Sequence, residues 1–222
     1  MRNPFPGTFQ KALLLPALLL GLTAALGAEG FRLRTFVETE PYSRLSSTNM
    51  TLSGSRTGTR TWTSSYSATP GVEFFVPLGS LFELGGGLRW QAPREPLESG
   101  TADARFSNLP VYLAARVAIA GSRAISGYAA VRAGYNAFFD TPAFRQIWAS
   151  ETGGALTSVS GGAYADASLG LIYSLTDSET AFLEFSLEAG YSIQTASAKN
   201  ASKDFTLLYQ NFHTGISLDW RF

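Results

Sequence analysis

Apolar and polar residues alternate along much of this chain, and that alternation limits its fold more than any other feature. The last stretch is the clearest example, because polar residues such as Asn211, His213 and Asp219 share one parity. The apolar residues share the other parity, and they are Leu208, Phe212, Ile216, Leu218, Trp220 and Phe222. Successive side chains of a strand point to opposite faces, so the pattern predicts a β-strand with one apolar and one polar face.

The same alternation recurs upstream and predicts eight strands. We expect them near residues 30–40, 62–77, 81–91, 107–120, 124–137, 161–175, 180–194 and 205–222. Three connections are tight, at 77–80, 120–123 and 176–179, and four are long and polar, at 41–61, 92–106, 138–160 and 195–204. Short turns at one end and long loops at the other are typical of outer-membrane barrels. The predicted fold is all-β, an eight-stranded antiparallel up-and-down transmembrane β-barrel.

Charged residues on the polar parity indicate which face meets water. Acidic and basic residues nearly cancel there, and 14 of the 17 basic residues of the chain are arginine, whose forked guanidinium suits carboxylate pairing in a confined space. The interior of an eight-stranded barrel is narrow enough for side chains to fill. We therefore predict a lumen plugged by a charge network. Its members are Arg32, Arg34, Glu83, Arg89, Arg116, Arg132, Asp166, Glu184, Glu188, Asp219 and Arg221.

Aromatic residues near the strand ends favour the same orientation. They fall into two groups, as the two interfacial girdles of a membrane barrel require. One group is Phe74, Phe82, Tyr173, Trp220 and Phe222, and the other is Trp62, Tyr66, Trp90 and Tyr135. In a soluble sandwich the apolar residues would instead point inward. A membrane barrel and a soluble sandwich therefore predict opposite exposure for the apolar residues.

The first 28 residues have the pattern of an export signal. Basic residues at Arg2 and Lys11 precede a 15-residue apolar stretch, which is shorter than the roughly 20 residues of a spanning helix. Small residues follow, so cleavage is expected after Gly27 or Ala28. We predict a signal peptide at 1–28 and a barrel domain at 29–222; the alternative is an N-terminal membrane anchor.

Composition and spacing exclude most kinds of chemistry. The chain has no cysteine, which rules out thiolate metal sites and thiol nucleophiles, and 15% charged residues with a net charge of zero do not suit a nucleic-acid surface. Glu184 and Glu188 lie roughly 13 Å apart on one strand face, too far for paired carboxylate catalysis. His213, the only histidine, is expected to hydrogen-bond Tyr209 or Asp219. We predict no enzyme activity, no cofactor and no metal.

The C-terminal heptapeptide from Ile216 to Phe222 resembles the signal that hands outer-membrane proteins to the barrel-assembly machinery, with Ile216, Leu218, Trp220 and Phe222 in its apolar positions. The chain as a whole resembles the small-barrel superfamily of outer-membrane protein A and the opacity-type surface proteins. That resemblance implies the outer membrane of a diderm bacterium, with membrane lipid, lipopolysaccharide, the assembly machinery and periplasmic chaperones as partners. Because the sequence ends at Phe222, we expect no peptidoglycan-binding domain after the barrel.

Three functions remain open at this point. The first is a structural or surface-interaction protein, a monomer whose loops 41–61, 92–106 and 138–160 contact a host or matrix ligand. The second is a narrow or gated channel of porin type. The third is a lipid A-modifying enzyme, but the deacylase pattern requires a serine two residues after the histidine, and Gly215 stands there.

Overall fold

The computed structural model describes residues 30–48, 61–64, 67–96, 103–119, 121–122, 124–149, 154–175, 182–201 and 204–221. The predicted signal peptide at 1–28 and the terminal Phe222 lie outside these residues. This described part of the chain forms ten strands and one short helix. They are β1 (Arg32–Thr48), β2 (Thr61–Thr63), β3 (Ala68–Pro77), β4 (Phe82–Arg89), β5 (Gln91–Arg94), β6 (Phe106–Ile119), β7 (Ile125–Asp140), α1 (Pro142–Gln146), β8 (Ser158–Ser174), β9 (Phe182–Lys199) and β10 (Asp204–Arg221).

Eight of these strands close into a ring. The order around the ring is β1, β3, β4, β6, β7, β8, β9 and β10, and β10 pairs with β1 to complete it. All of these pairings are antiparallel, and the closing register runs from Arg32 opposite Arg221 to Thr48 opposite Thr206. The two short strands add to the ring at one end, where β2 pairs with β1 and β5 pairs with β6. The predicted fold class is confirmed.

Strand exposure confirms that the barrel is apolar on its outside. On β9, Leu187 is 50% exposed while its neighbour Glu188 is 4% exposed, and the same contrast holds for Leu218 and Asp219 on β10. A soluble sandwich would show the reverse. Among the described residues, no helix is both long enough and apolar enough to cross a membrane.

The polarity of both faces inverts along β9. On β9 the outward residues are apolar as far as Ile193, whereas Thr195, Ser197 and Lys199 continue the outward face with polar side chains. The inward face changes at the same level, from Glu188 and Gln194 to the buried residues Ala196 and Ala198. We call the part with an apolar exterior the lower section, and the part near Lys199 and Asp204 the upper section.

This inversion explains why several predicted loops are strands. β1 continues to Thr48, so the predicted loop 41–61 begins too early. β9 ends at Lys199 and β10 begins at Asp204, so the predicted long loop 195–204 is wrong. In the upper section the outward residues of a strand are polar. The sequence of these strand segments therefore has the polar composition of a loop.

Two other boundaries also differ from the prediction. The predicted strand 62–77 divides into β2 and β3, and β4 is followed by β5 across Trp90. The predicted loop 92–106 thus contains part of a strand, and the predicted loop 138–160 contains the end of β7, all of α1 and the start of β8.

Candidate functional site in the barrel lumen

The lower end of the lumen holds a cluster of three arginines and three carboxylates, which we call the lower cluster. Its members are Arg32, Arg116, Arg221, Glu83, Glu184 and Asp219. Arg32 Nε lies 3.2 Å from Glu83 Oε1, and Arg116 Nε lies 2.8 Å from Glu83 Oε2. Arg32 also forms an ion pair with Glu184. The side chain of Arg221 is 49% exposed and reaches Glu83 and Glu184 only at 3.9 and 4.0 Å, so it lies at the rim.

A second group, the middle cluster, lies above the first and is drawn from seven strands. Its members are Arg34, Arg89, Arg132, Glu38, Glu73, Asp166, Glu188 and His213. Arg132 contacts three carboxylates, with distances of 2.5 Å to Glu73, 2.7 Å to Asp166 and 3.0 Å to Glu188. Charge-assisted pairs of this kind are the strong hydrogen bonds of proteins, so Arg132 ties β7 to β3, β8 and β9.

Aromatic side chains complete the coordination of the middle cluster. Tyr112 on β6 donates a hydrogen bond to Glu73 Oε1 at 2.9 Å, and Tyr128 donates one to Glu188 Oε2 at 2.6 Å. The Arg89 guanidinium lies 5.2 Å from the ring centre of Tyr112 and 5.4 Å from that of Tyr164, within cation–π range. With Tyr112 included, all eight strands of the ring contribute to this level of the lumen.

His213 is fully buried within the middle cluster. Its Nε2 lies 2.6 Å from Asp166 Oδ2 on β8, and its Nδ1 lies 3.5 Å from Glu38 Oε1 on β1. The predicted partners Tyr209 and Asp219 are therefore wrong: Tyr209 lies four residues higher on β10, beside Glu40, and Asp219 lies with the lower cluster. The strand alternation alone places residues on a face but does not reveal which distant strand supplies the partner.

No metal site is assigned in the described part of the lumen. Oxygens of Glu38 and Glu188 and a ring nitrogen of His213 lie within 4.8 Å of one another. However, Glu38 accepts from Arg89 at 2.9 Å, and Glu188 accepts from Arg34 at 2.8 Å. Cationic guanidinium groups next to both carboxylates oppose the approach of a metal cation.

Above the middle cluster, one arginine and one carboxylate form the upper pair, Arg94 and Glu40. They are joined by an ion pair, and Tyr209 donates to Glu40 Oε2 at 2.5 Å. Gln91 adds a hydrogen bond to Glu40 Oε1 at 2.9 Å. The sequence prediction missed this pair because Arg94 fell in the predicted loop 92–106.

The top of the lumen is closed by an apolar cluster, the apolar cap. Its members are Leu45, Ala104, Phe106, Phe138, Phe144, Ile147, Trp148, Leu156, Ala196, Ala198, Phe205, Leu207 and Tyr209. The rings of Phe106 and Phe138 stack at 5.6 Å, and Phe144 meets both Phe106 and Trp148 at 5.3 and 6.1 Å. Since Phe144 and Trp148 are fully buried, the connection between β7 and β8 folds inward over the lumen.

The short helix α1 positions this cap. Thr141 is its N-cap and accepts a hydrogen bond from the Phe144 amide at 3.2 Å, and Pro142 occupies the first turn, where its missing N–H is not needed. A hydrogen bond and ion pair with Asp140 at 2.6 Å raise the pKa of Arg145 above its ordinary value. The Thr-Pro start and the i, i+3, i+4 spacing of Phe144, Ile147 and Trp148 are the sequence signals that could have predicted this element.

Comparison with known proteins rests on structure. No protein-family model and no curated sequence matches the chain. The structure is similar to that of the outer membrane protein OprG from Pseudomonas aeruginosa, at 19% identity and a TM-score of 0.55, covering 88% of this chain and 96% of that one. It is also similar to the outer membrane protein AlkL in lipid bilayers, at 12% identity and a TM-score of 0.53, covering 88% and 91%. The chain therefore shares the β-barrel fold of these two outer membrane proteins.

Within this barrel the residues of the predicted network separate by height. Arg32, Glu83, Arg116, Glu184, Asp219 and Arg221 lie in the lower cluster, and Arg34, Arg89, Arg132, Asp166 and Glu188 lie in the middle one. Glu184 and Glu188 thus belong to different clusters, and each is paired with arginine. In the predicted assembly signal, Ile216 and Leu218 point outward and Trp220 is half-buried, while Phe222 lies outside the described residues.

Proposed function

We propose that the chain is an integral outer-membrane protein with a plugged lumen, which acts at the cell surface through its upper section and loops. The observation that carries the proposal is that side chains fill the lumen along the barrel axis. Two ion clusters, the upper pair and the apolar cap follow one another along the barrel axis, with side chains from every strand of the ring. Such an interior leaves a small barrel without an aqueous path.

The dimensions of the lower section support a membrane location. The apolar outer stretch of β9 runs from Leu183 to Ile193, which matches the roughly 9–11 residues of a tilted transmembrane strand. OprG and AlkL, which share the fold, are both outer membrane proteins. We infer insertion in the outer membrane after signal-directed export, as a monomer surrounded by lipid and lipopolysaccharide, with assembly by the barrel-assembly machinery and periplasmic chaperones.

The lumen geometry also supports the absence of enzyme activity. Both ring nitrogens of His213 face carboxylates rather than a hydroxyl nucleophile, and the ring is closed off from lipid and water. A lipid A-modifying enzyme would need its base on a surface that lipid can reach. The described lumen offers no such group, so the proposal includes neither cofactor nor substrate.

Planar-bilayer recording tests the plug. We expect the purified protein to give no step conductance, whereas step conductances that change when Arg116 or Glu184 is neutralised would show a channel and contradict the proposal. A double variant, Phe144→Ser with Trp148→Ser, opens only the apolar cap. It should remain silent, because the ion clusters below still close the lumen.

Cell-surface binding tests the interaction role. In the sequence, residues 49–60 lie between β1 and β2 and residues 97–102 lie between β5 and β6. Each segment is replaced by a short Gly-Ser linker. We expect these variants to insert normally but to lose binding to host cells or matrix proteins that the parent protein binds. Retention of binding to every such surface would count against a role for these connections.

A further inference from the structure

The charges of the lumen balance cluster by cluster, with one exception. The lower cluster has three arginines and three carboxylates, and the upper pair has one of each. The middle cluster has three arginines, Arg34, Arg89 and Arg132, against four carboxylates, Glu38, Glu73, Asp166 and Glu188. Among the described residues, the middle cluster alone therefore carries an excess negative charge, unless a further cation lies within it.

His213 is the titratable group at that place. It lies on β10, and the charged groups facing it come from four strands: Glu38 on β1, Arg89 on β4, Asp166 on β8 and Glu188 on β9. Three of the four are carboxylates, and Arg89 is itself held by Glu38 at 2.9 Å. A neutral imidazole has one donor and one acceptor nitrogen, yet here both nitrogens face carboxylate oxygens.

We propose that His213 is a proton-binding site of the barrel, occupied as an imidazolium at neutral pH, and that this proton makes the middle cluster electrically neutral. The Nε2–H group then donates to Asp166 at 2.6 Å, and the protonated Nδ1 forms an ion pair with Glu38 Oε1 at 3.5 Å. Because an uncompensated buried charge is costly, the proton links β10 to its neighbour β1 and to β8, which lies beyond β9 in the ring. Removal of the proton leaves four carboxylates against three guanidinium groups.

A lone histidine makes the charge state directly measurable. Since His213 is the only histidine of the chain, ring ¹⁵N labelling of histidine in a tag-free protein reports on this residue alone. In lipid nanodiscs at pH 8, where free histidine is neutral, we expect both ring nitrogens to show the shifts of protonated nitrogen. One protonated and one bare nitrogen at pH 8 would overturn the proposal, whatever the conductance of the barrel.

A charge-balance experiment separates this role from simple packing. His213→Gln should lower the stability of the barrel at pH 7. The parent protein should lose stability when His213 is deprotonated at alkaline pH, and the variant should not show that loss. Adding Glu38→Gln to His213→Gln restores three charges of each sign, so the double variant should be more stable than His213→Gln alone. Glu38→Gln in the parent background should instead destabilise, because it leaves a positive excess.

Apparent unfolding midpoints in urea, read from the heat-modifiable gel shift, provide the stability scale from pH 6 to pH 10. A purely structural histidine would give no rescue by Glu38→Gln and the same pH dependence with and without His213. Either result would contradict the proposal even if the barrel is closed to ions.

Discussion

At the scale of single residues, the middle cluster concentrates its contacts on Arg132. This side chain is buried and contacts Glu73, Asp166 and Glu188 at 2.5–3.0 Å. Removing one partner of a buried ion pair costs about 3–5 kcal/mol because the other charge is left uncompensated. We expect Arg132→Met to lower the free energy of unfolding by about that amount in urea titrations followed by tryptophan fluorescence.

Arg145→Met is the matched control. Arg145 pairs with Asp140 in the upper section, where it is partly exposed, and exposed pairs contribute about 0–1 kcal/mol. Similar losses for the two variants would show that burial of the charge is not the deciding factor.

Glycine residues on the inner face provide a second prediction. A Cβ at Gly190 would lie 2.7 Å from His213 Nε2 and 2.8 Å from the Ala167 carbonyl oxygen. We expect Gly190→Ala to destabilise the barrel by about 1–3 kcal/mol through overpacking. At Gly127 the nearest atom to a new Cβ is 3.4 Å away, on Ile119, so Gly127→Ala should change stability much less in the same assay.

At the scale of elements, the strands of the lower section could be predicted and those of the upper section could not. A strand between lipid and a charged lumen alternates sharply, as Leu187, Glu188 and Ala189 do on β9. Beyond Ile193 the outward residues are Thr195 and Ser197, which a sequence pattern does not separate from a loop. Ladder pairing with β8 and β10 extends these segments as strands, and that pairing is a tertiary property.

The charged site shows the same division. The alternation placed Arg34, Arg132 and Glu188 on the inner face, because the face on which a strand residue lies depends only on its position along that strand. The assignment of Asp166 to His213, and of Arg94 to Glu40, depends on strand stagger and on the depth of each residue in the lumen. The alternation within one strand predicts neither the stagger between strands nor the depth of a residue in the lumen.

The helix α1 offers a prediction at this scale. Thr141→Ala removes the acceptor for the Phe144 amide, and loss of an N-cap costs about 1 kcal/mol. We expect faster hydrogen exchange in residues 141–149 of this variant, with the lower section unchanged. Exchange that rises equally on β9 would mean that the cap and the barrel wall unfold as one unit.

At the scale of the whole molecule, the proposed membrane location makes the inversion of polarity along β9 a marker of depth in the bilayer. Leu187 and Ser197 share a strand and an outward face but lie in the lower and upper sections. Arginine at the bilayer midplane costs about 2–4 kcal/mol in outer-membrane barrels, and much less near the interface. We expect Leu187→Arg to lower the folding free energy in phospholipid vesicles by about that amount.

Ser197→Arg is the control on the same strand, and it should change the folding free energy by less than about 0.5 kcal/mol. Equal costs for the two substitutions would place both residues at the same depth and contradict the division into two sections.

The two sections also differ in how temperature acts on them. Water leaves the apolar cap when Phe144, Trp148 and Leu207 become buried, and this kind of burial gives unfolding a large positive heat capacity change. Such a core weakens on cooling as well as on heating. In the proposed membrane location, the lower section buries mainly charged groups inside and keeps most of its apolar side chains against hydrocarbon, so its contribution of this kind is smaller. In that location a single strand such as β9 crosses two solvents, and we expect its upper end to lose more stability than its lower end on cooling.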